Sequence, residues 1–565
     1  LGWLHGRTFS EVLLIAVSLA VSAVPEGLPA VVTLCFAMGV KRMVKKNVIV
    51  RKLDSLETLG SVTVICSDKT GTITENRMRV KEAWVPQGAK KGDDTLLLQI
   101  AASCNRAKFP DFGDPTELGL LEYAEEKGVK RLGFDEEEVP FSSEKKYMQT
   151  RHGNVSFLKG APEKIVELCD QVPKEDVLQE GVRLARGGLR VLGFAIMRGG
   201  KTRFVGLIGM EDPPRSSVRA AIREARQAGI RSIMITGDNM ETARAIAAQV
   251  GIKGEVVNGH DVDAMTPKRL RGRVGEIGIY ARVSPIHKLK ILRALQENGE
   301  IVAMSGDGVN DAPALKGAHV GIAMGKMGTQ VAREASSVVL ADDHFSTMVS
   351  AVREGRRIYD NIRKFVLFLL QANFYAILFI MATLVLGMPL PYLPIHILWI
   401  NLITDGLPAL ALGMEKEEPD IMERPPRPNG EHILAGEWKR LLFSAIIGFA
   451  FSLGLFLYLY ISRALPLAEV RSTVLMMAIA FELCLVHSVR SSKPIYVIGF
   501  FSNRWLLLAT VLPFLLQFVI VYTPLNVLFH VVPLTLFNWV LAIGLGVTGF
   551  IVFESMKFIP ARKRA

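Results

Sequence analysis

The sequence predicts a multidomain protein: an α-helical transmembrane bundle joined to a soluble α/β region. That region is built on a doubly wound parallel sheet, with an α+β domain inserted into it. Three observations predict this. Mean hydropathy is positive, +0.28, although 22% of the residues are charged; such a composition separates into apolar spans and charged soluble parts. Apolar runs long enough to cross a bilayer flank the polar stretch 41–363. Within that stretch, short β-branched runs alternate with helical patterns, the signature of parallel strands joined by helices.

Composition also narrows the class. Collagen-like, low-complexity and disordered chains are excluded. The net charge of +12 would suit a nucleic-acid partner, but the excess Lys and Arg sit at the ends of apolar runs, so none is expected. The 5 Cys residues form no CxxC pair, which argues against a disulfide framework or a zinc site. The chain opens Leu1-Gly2-Trp3 without a charged n-region. It reads as beginning partway through a longer protein.

The first span covers 12–40, and six more follow near 364–388, 393–414, 440–462, 472–489, 504–523 and 534–554. Lys41, Arg42, Lys45 and Lys46 follow the first, and Arg353, Arg356, Arg357, Arg363 and Lys364 precede the second. Arg490 and Lys493 lie between the fifth and sixth, and Lys557, Arg562, Lys563 and Arg564 follow the last. Alternating spans put all four clusters on one side, the cytoplasmic side by the positive-inside rule. The soluble region is therefore expected in the cytoplasm.

Two spans carry acids beside helix breakers. In Val24-Pro25-Glu26-Gly27-Leu28-Pro29 the prolines free backbone carbonyls about one turn earlier. Unwound backbone at membrane depth must line a cavity or be buried in protein. A mid-membrane carboxylate costs roughly 2.5–3.5 kcal/mol or more unless an ion or a proton compensates it. A proline kink with a snorkelling Glu26 is the plainer alternative. In the third span, Asn401, Thr404 and Asp405 fall at i, i+3 and i+4 and share a helical face, next to Gly406 and Pro408. Gln371 and Asn373 of the second span add amide oxygens. Such an oxygen cage without Cys or His suits hard cations such as Ca²⁺. Glu482 in the fifth span is a weaker candidate, which could equally face a polar cavity or pair with His487.

In the soluble region, an expected strand at 61–66 ends in Ser67-Asp68-Lys69-Thr70-Gly71-Thr72. A second, at 233–235, ends in Thr236-Gly237-Asp238, and a third, at 301–304, ends in Ser305 to Asp311. Helical patterns at 215–228, 240–250 and 285–297 separate them. Chemistry collects at the carboxyl ends of parallel strands. Carboxylates crowded there call for a cation, and Mg²⁺ with a phosphate is the common pairing.

Asp68-Lys69-Thr70-Gly71-Thr72 resembles the phosphorylation motif of P-type cation-transporting ATPases. Asp212-Pro213-Pro214-Arg215, Thr236-Gly237-Asp238 and Gly306-Asp307-Gly308-Val309-Asn310-Asp311 match further signatures of that family in order, so the resemblance covers nearly the whole chain. Pro25 to Pro29 and Asn401 to Pro408 look like the ion-binding spans of its Ca²⁺-pump branch. The resemblance implies a haloacid dehalogenase-like phosphorylation domain in which Asp68 takes the γ-phosphoryl group of ATP. It implies that Asp307, the Asp68 carboxylate and the Thr70 carbonyl hold Mg²⁺, and that Lys288 neutralises the transferring group. Lys69, Thr236, Gly237, Asp238, Asn310 and Asp311 complete the implied catalytic set. In related phosphatases the second residue after the nucleophile is an acid serving as general acid/base. Here it is Thr70, so the aspartyl phosphate is expected to persist.

The resemblance further implies a nucleotide-binding domain at 83–204, interrupting the phosphorylation domain at 47–82 and 205–345, with membrane regions at 1–46 and 346–565. Lys159 and Gly160 of Lys159-Gly160-Ala161-Pro162-Glu163, Phe141 as the adenine-stacking ring, Glu117, Arg190 and Arg282 are its implied nucleotide contacts. Taken alone, Phe141 reads as a core residue and Lys159-Gly160 as a surface turn.

Two departures qualify the resemblance. No Thr-Gly-Glu, the family's actuator signature, occurs in the sequence; an N-terminal actuator portion of the same pump is the expected missing partner. Two-site Ca²⁺ pumps carry an acid three residues after the Asn of the second span, where this chain has Ala376, and an acid in the fifth span whose position falls near Ser492. The implied ligands are then Glu26, Asn373, Asn401, Thr404 and Asp405, with carbonyls at Val21, Ala23 and Val24, which suggests one Ca²⁺ per cycle. Mn²⁺ and monovalent-cation pumps share much of this frame. A membrane-anchored phosphatase without transport and a non-enzymatic scaffold are the other readings.

Overall fold

The computed structural model describes residues 27–108, 113–133, 136–142, 144–170, 172–428 and 430–558, with isolated helical positions between 9 and 20. Two compact units emerge. One comprises the chain up to Lys45 with Arg353–Ile421 and Arg427–Ala565, the other Lys46–Val352 with Met422–Pro426.

The soluble unit holds fourteen strands: β1 (Val48–Val50), β2 (Val64–Asp68), β3 (Arg79–Trp84), β4 (Glu136–Val139), β5 (Tyr147–His152), β6 (Val155–Gly160), β7 (Arg190–Arg198), β8 (Lys201–Glu211), β9 (Arg231–Ile235), β10 (Glu255–Asn258), β11 (Ile277–Ala281), β12 (Val302–Gly306), β13 (Val320–Met324) and β14 (Val338–Leu340). Eight form one sheet in the order β1-β14-β13-β12-β2-β9-β11-β10. All its pairs are parallel except β1 with β14. The central strands are apolar on both faces because helices cover both: β12 and β13 are buried at every residue. The intervening helices Val218–Gln227, Met240–Val250 and Pro285–Glu297 lie within or on the expected ranges. Sequential strands therefore present their carboxyl ends along one edge, and all three expected acidic loops leave from that edge.

The other six strands form an antiparallel sheet in the order β3-β8-β7-β6-β5-β4. Its edge strand β3 pairs with β8, Arg79 with Glu211 and Trp84 with Leu207. The expected boundaries at 82/83 and 204/205 thus fall inside strands. A regular alternation of exposed and half-buried residues in β3 carries the sheet four residues further back than a break in the α/β rhythm suggests.

In the membrane unit, helix α1 (Leu28–Val44) follows Gly27 and opens with a proline in its first turn. Among the described residues, six helices are long and apolar enough to cross a membrane: α2 (Phe345–Val385), α3 (Pro394–Leu412), α4 (Trp438–Ser462), α5 (Leu467–Val489), α6 (Arg504–Tyr522) and α7 (Leu536–Phe558). They match the six later spans; the first expected span lies partly outside the described residues. Helix α5 is central, with 94% of its most apolar window buried. A polar side chain on it must therefore face protein.

Candidate functional site: an aspartate loop and a buried carboxyl pair

Asp68 is the last residue of β2, and its carboxyl caps the turn that follows: the Lys69 N–H donates to Asp68 Oδ1 at 2.7 Å. The chain then leaves extended at Thr70 and turns through a left-handed Gly71, φ 74°. A side chain at Gly71 would be strained there and would meet the Met327 sulfur. The backbone N–H of Asp68 donates to Ser305 Oγ of β12 at 3.1 Å, pinning two strand ends together.

Three carboxylates meet at this edge. Ligand oxygens of Asp68, Asp307 and Asp311 all lie within 4.8 Å of one another. Asp311 Oδ2 accepts the N–H groups of Asp307 and Gly308 at 3.2 and 3.3 Å. Lys288, 7% exposed, donates to Asp68 Oδ2 at 2.7 Å and sits 2.9 Å from Asp311 Oδ1. Burial pulls the Lys288 ammonium down, but the charges of Asp68 and Asp311 outweigh it and hold it above the ordinary lysine value. Asp307 is pushed up, by burial first and then by the charges of Asp68 and Asp311. One lysine thus pairs with two of the three carboxylates; its charge reaches Asp307 too, but does not offset burial and the other two acids. This donor set fits a hard divalent cation such as Mg²⁺.

Lys69 behaves otherwise than its position in the motif implies. Its ammonium is buried and points to Asp238 at 2.5 Å and Asp212 at 3.9 Å, not to Asp68. It ties the loop to the ends of β8 and β9 as a positioning group. Asp212 also accepts from the Thr74 hydroxyl at 2.6 Å and the Arg77 N–H at 3.1 Å, and burial raises its carboxyl above the usual range. Arg215 donates to the Gly71 carbonyl at 2.9 Å. The Asp212 to Arg215 segment therefore braces the aspartate loop from outside. Thr236 is buried, with its hydroxyl accepting the Asp238 N–H at 3.1 Å, while Gly237 and Asn310 are exposed at the rim. Sequence reasoning missed Asp343. It is 2% exposed at φ 63°, and its carboxylate accepts the N–H groups of Gly325, Lys326 and Met327 at 2.6–3.0 Å. In sequence it is the second acid of an ordinary polar loop, and nothing marks it.

In the antiparallel sheet, Lys159 of β6 is buried and donates to Glu117 Oε1 at 2.7 Å. Glu117 stands in the first turn of Pro115–Glu126, capped by Asp114. Arg190 donates to the adjacent Thr116 hydroxyl at 3.0 Å. Gly160 pairs with Tyr147, and any Cβ there would strike the Lys146 carbonyl and the Tyr147 backbone. Four of the implied nucleotide contacts are thereby drawn into one cluster. Phe141 is 58% exposed, a ring presented to solvent rather than a core residue. Arg282 lies elsewhere, just after β11, at φ 50°, with its N–H on the Asp238 carbonyl.

In the membrane unit, Ile400–Thr404 winds as a wide π turn: the Asp405 N–H donates to the Ile400 carbonyl at 2.8 Å. Pro408, four residues beyond Thr404, brings no N–H to close an ordinary turn there. Asn401, Thr404 and Asp405 all face inward at 8%, 0% and 0% exposure. The Thr404 hydroxyl returns to the Ile400 carbonyl at 2.9 Å. Among the described residues, no hydrogen-bond donor meets either Asp405 oxygen and no acceptor meets the Asn373 amide nitrogen. Gln371 reaches the Arg440 carbonyl at 3.4 Å. The carboxyl beside Asp405 is Glu482 of α5, whose Oε1 accepts from the Tyr375 hydroxyl at 2.8 Å. His487, the alternative partner for Glu482, instead faces Thr510 and stacks on Phe500. The carboxyl that the fifth span brings beside Asp405 is Glu482, whereas Ser492, near which the family's acid was expected, lies past the end of that helix and is exposed. Val21, Ala23, Val24 and Glu26 lie outside the described residues.

A second buried carboxylate shows what a compensated acid looks like in this unit. Glu415, just past α3, takes Arg490 Nε at 2.9 Å and Nη2 at 3.2 Å and the Asn503 amide at 2.9 Å. Burial would raise it, yet those hydrogen bonds prevail and hold it below the usual range.

Comparison with known proteins agrees with this geometry. Residues 62–319 match the haloacid dehalogenase-like hydrolase model, and residues 389–559 match the model of the C-terminus of cation transporting ATPases. A protein of Bacillus cereus called calcium-transporting ATPase 1 is 40% identical over 99% of this chain and 70% of its own length. The calcium-transporting ATPase of Bacillus subtilis is 39% identical over 96% of this chain and 69% of its own. The human calcium-transporting ATPase type 2C member 1 is 36% identical over 98% of this chain and 67% of its own. A haloacid dehalogenase-like catalytic sheet carried with a multi-pass helical bundle defines an ion-translocating ATPase that works through an aspartyl phosphate. The chain belongs to the P-type cation-transporting ATPases. It is a multi-pass integral membrane protein with its catalytic domains in the cytoplasm, and its family uses ATP and Mg²⁺.

Proposed function

We propose that the cargo is Ca²⁺, exported across a bacterial-type plasma membrane, and that Asp68 is the group phosphorylated. The observation that carries the cargo reading is the buried Asp405 carboxylate. Among the described residues it has no donor, Glu482 is the carboxyl beside it, and the oxygen-bearing Asn401 and Thr404 are buried on the same turn. An uncompensated carboxylate inside a bundle is costly unless its partner arrives from outside. All-oxygen surroundings suit a hard cation. The names borne by the Bacillus and human relatives support the same ion.

In the catalytic step, an Asp68 oxygen forms a bond to the γ-phosphorus of ATP, the bond to the bridging oxygen breaks, and ADP leaves with that electron pair. Lys288 holds Asp68 in its attacking orientation and balances charge on the transferring group. Asp68, Asp307 and the Thr70 carbonyl would hold Mg²⁺, which supplies charge neutralisation for the phosphoryl oxygens. Lys159, Glu117, Arg190 and the exposed Phe141 ring would hold the nucleotide. Thr70 offers no carboxyl for hydrolysing the aspartyl phosphate, so the intermediate lasts until a group from an actuator portion of the pump reaches it.

The test is acid-stable phosphorylation from labelled ATP in membranes holding the complete gene product, across Ca²⁺, Mn²⁺, Na⁺ and K⁺. Label that requires Ca²⁺ and vanishes in Asp68→Asn supports the reading. Label equally strong without any of the four cations overturns it in favour of a membrane-anchored phosphatase.

A further inference from the structure

We propose that Tyr375 is a positioning residue of the cation site, acting through Glu482: its hydroxyl holds the Glu482 carboxyl against Asp405 so that one oxygen stays open to cargo. This rests on the cation-transport reading above.

The geometry is specific. Tyr375 and Glu482 are each 1% exposed, and the phenol donates to Glu482 Oε1 at 2.8 Å. A phenol has one hydrogen to give. Glu482 Oε2 therefore receives none from it, and among the described residues no other donor reaches that oxygen. One oxygen is anchored and the other has no donor, in a carboxyl that neighbours Asp405, an arrangement that a lysine or arginine at 375 would destroy by neutralising the pair. The ring itself is fixed. It packs edge-on to Phe481 with centroids 6.1 Å apart. On the α4 side it sits against Gly448, where a Cβ would come within 3.1–3.3 Å of Tyr375 and 2.9 Å of Phe481. The Tyr392 hydroxyl lies beside the phenol. A short, rigid lever thus runs from α2 to α5, two residues along from Asn373, and ends on the carboxyl next to the unpartnered Asp405.

The experiment measures phosphoenzyme from labelled ATP against Ca²⁺ concentration, in membranes holding the complete gene product, for the wild type, Tyr375→Phe, Glu482→Gln and the double variant. Tyr375→Phe keeps the ring and loses only the donor. It should raise half-saturating Ca²⁺ roughly tenfold, the scale of one hydrogen bond to a charged group, with the maximal phosphoenzyme level kept. The double variant should be no worse than Glu482→Gln alone, because the phenol acts only through that carboxyl. Unchanged half-saturation in Tyr375→Phe overturns the proposal and leaves the pump reading standing. So does a reduced maximum at unchanged half-saturation, which marks a purely structural ring, or a full additional effect in the double variant. Wild-type label indifferent to every cation overturns both. Should Tyr375→Phe not accumulate, Gly448→Ala, which crowds the same ring, replaces it with the same expected rise and the same overturning result.

Discussion

The aspartate loop and the membrane carboxyl pair both crowd acids into buried space, and they treat the resulting charge in opposite ways. At the loop, Lys288 lies within 2.9 Å of both Asp68 and Asp311, and backbone N–H groups fill much of the rest. In the bundle, among the described residues, Asp405 has no donor and Glu482 has one. The difference separates two tasks. A catalytic site gains by fixing its charges in advance, so that nothing reorganises when the phosphoryl group arrives. A cargo site must bind and release, so its countercharge has to be the cargo itself. Glu415, in the same unit as Asp405 but locked to Arg490 and Asn503, shows that this bundle can compensate a buried acid where nothing needs to pass.

The comparison can be broken most decisively at Asp68. Asp68→Asn should lower phosphoenzyme formation by at least about 10⁴-fold, the scale on which a nucleophile is lost, read as acid-stable label. Lys288→Met should follow, with phosphorylation down roughly 10²–10³-fold and the soluble unit less stable by about 3–5 kcal/mol, because two carboxylates lose their only lysine. A denaturant titration checks the second part. Asp405→Asn should raise half-saturating cation about 100-fold while making the cation-free protein more stable, by about 1 kcal/mol, since it removes an unpartnered buried acid. Opposite signs of stability change at Lys288 and Asp405 are the sharpest form of the contrast, and a loss of stability in Asp405→Asn would end it. The smallest functional effect belongs to Glu415→Gln. It should leave half-saturating cation unchanged within about twofold and cost about 2 kcal/mol of thermal stability, in line with a lost hydrogen-bonded charge pair.

Much of the loop was legible because strand ends and acids coincide in the sequence: Asp68, Asp238 and Asp307 each close an apolar run, and parallel sheets bring such ends to one edge. The direction of a side chain was not. Lys69 sits next to Asp68 in the motif yet turns to Asp238 and Asp212, because successive residues leaving a strand point to opposite sides. In the bundle, Asn401, Thr404 and Asp405, grouped in the sequence by helical spacing, are all buried, and the turn that carries them is wider than an α turn. Glu482 was undervalued because α5 is buried nearly all round, so no solvent-facing polar stripe sets its rotation. Tyr375 could not be singled out at all, since a tyrosine in an apolar run reads equally well as packing. The inserted domain reads in the sequence as an interruption of the α/β rhythm, and the expected boundaries at 82/83 and 204/205 cut through β3 and β8.

One feature of the eight-stranded sheet bears on how the protein is made. Its edge is closed by β1 pairing with β14, Val48 against Leu340 and Val50 against Val338. A ribosome adding about 5–20 residues per second needs on the order of 15–60 s to pass from one strand to the other. Through that interval β1 has no β14 to pair with, and the growing chain must build and complete the six-stranded sheet first. The edge can close only when Leu340 has emerged, five residues before the helix Phe345–Val385 begins. Completion of the catalytic sheet and delivery of the next span to the membrane therefore fall at nearly the same moment of synthesis. A slowing of translation just after Leu340 should favour both, and a pause before it would prolong the time β1 spends as an open edge.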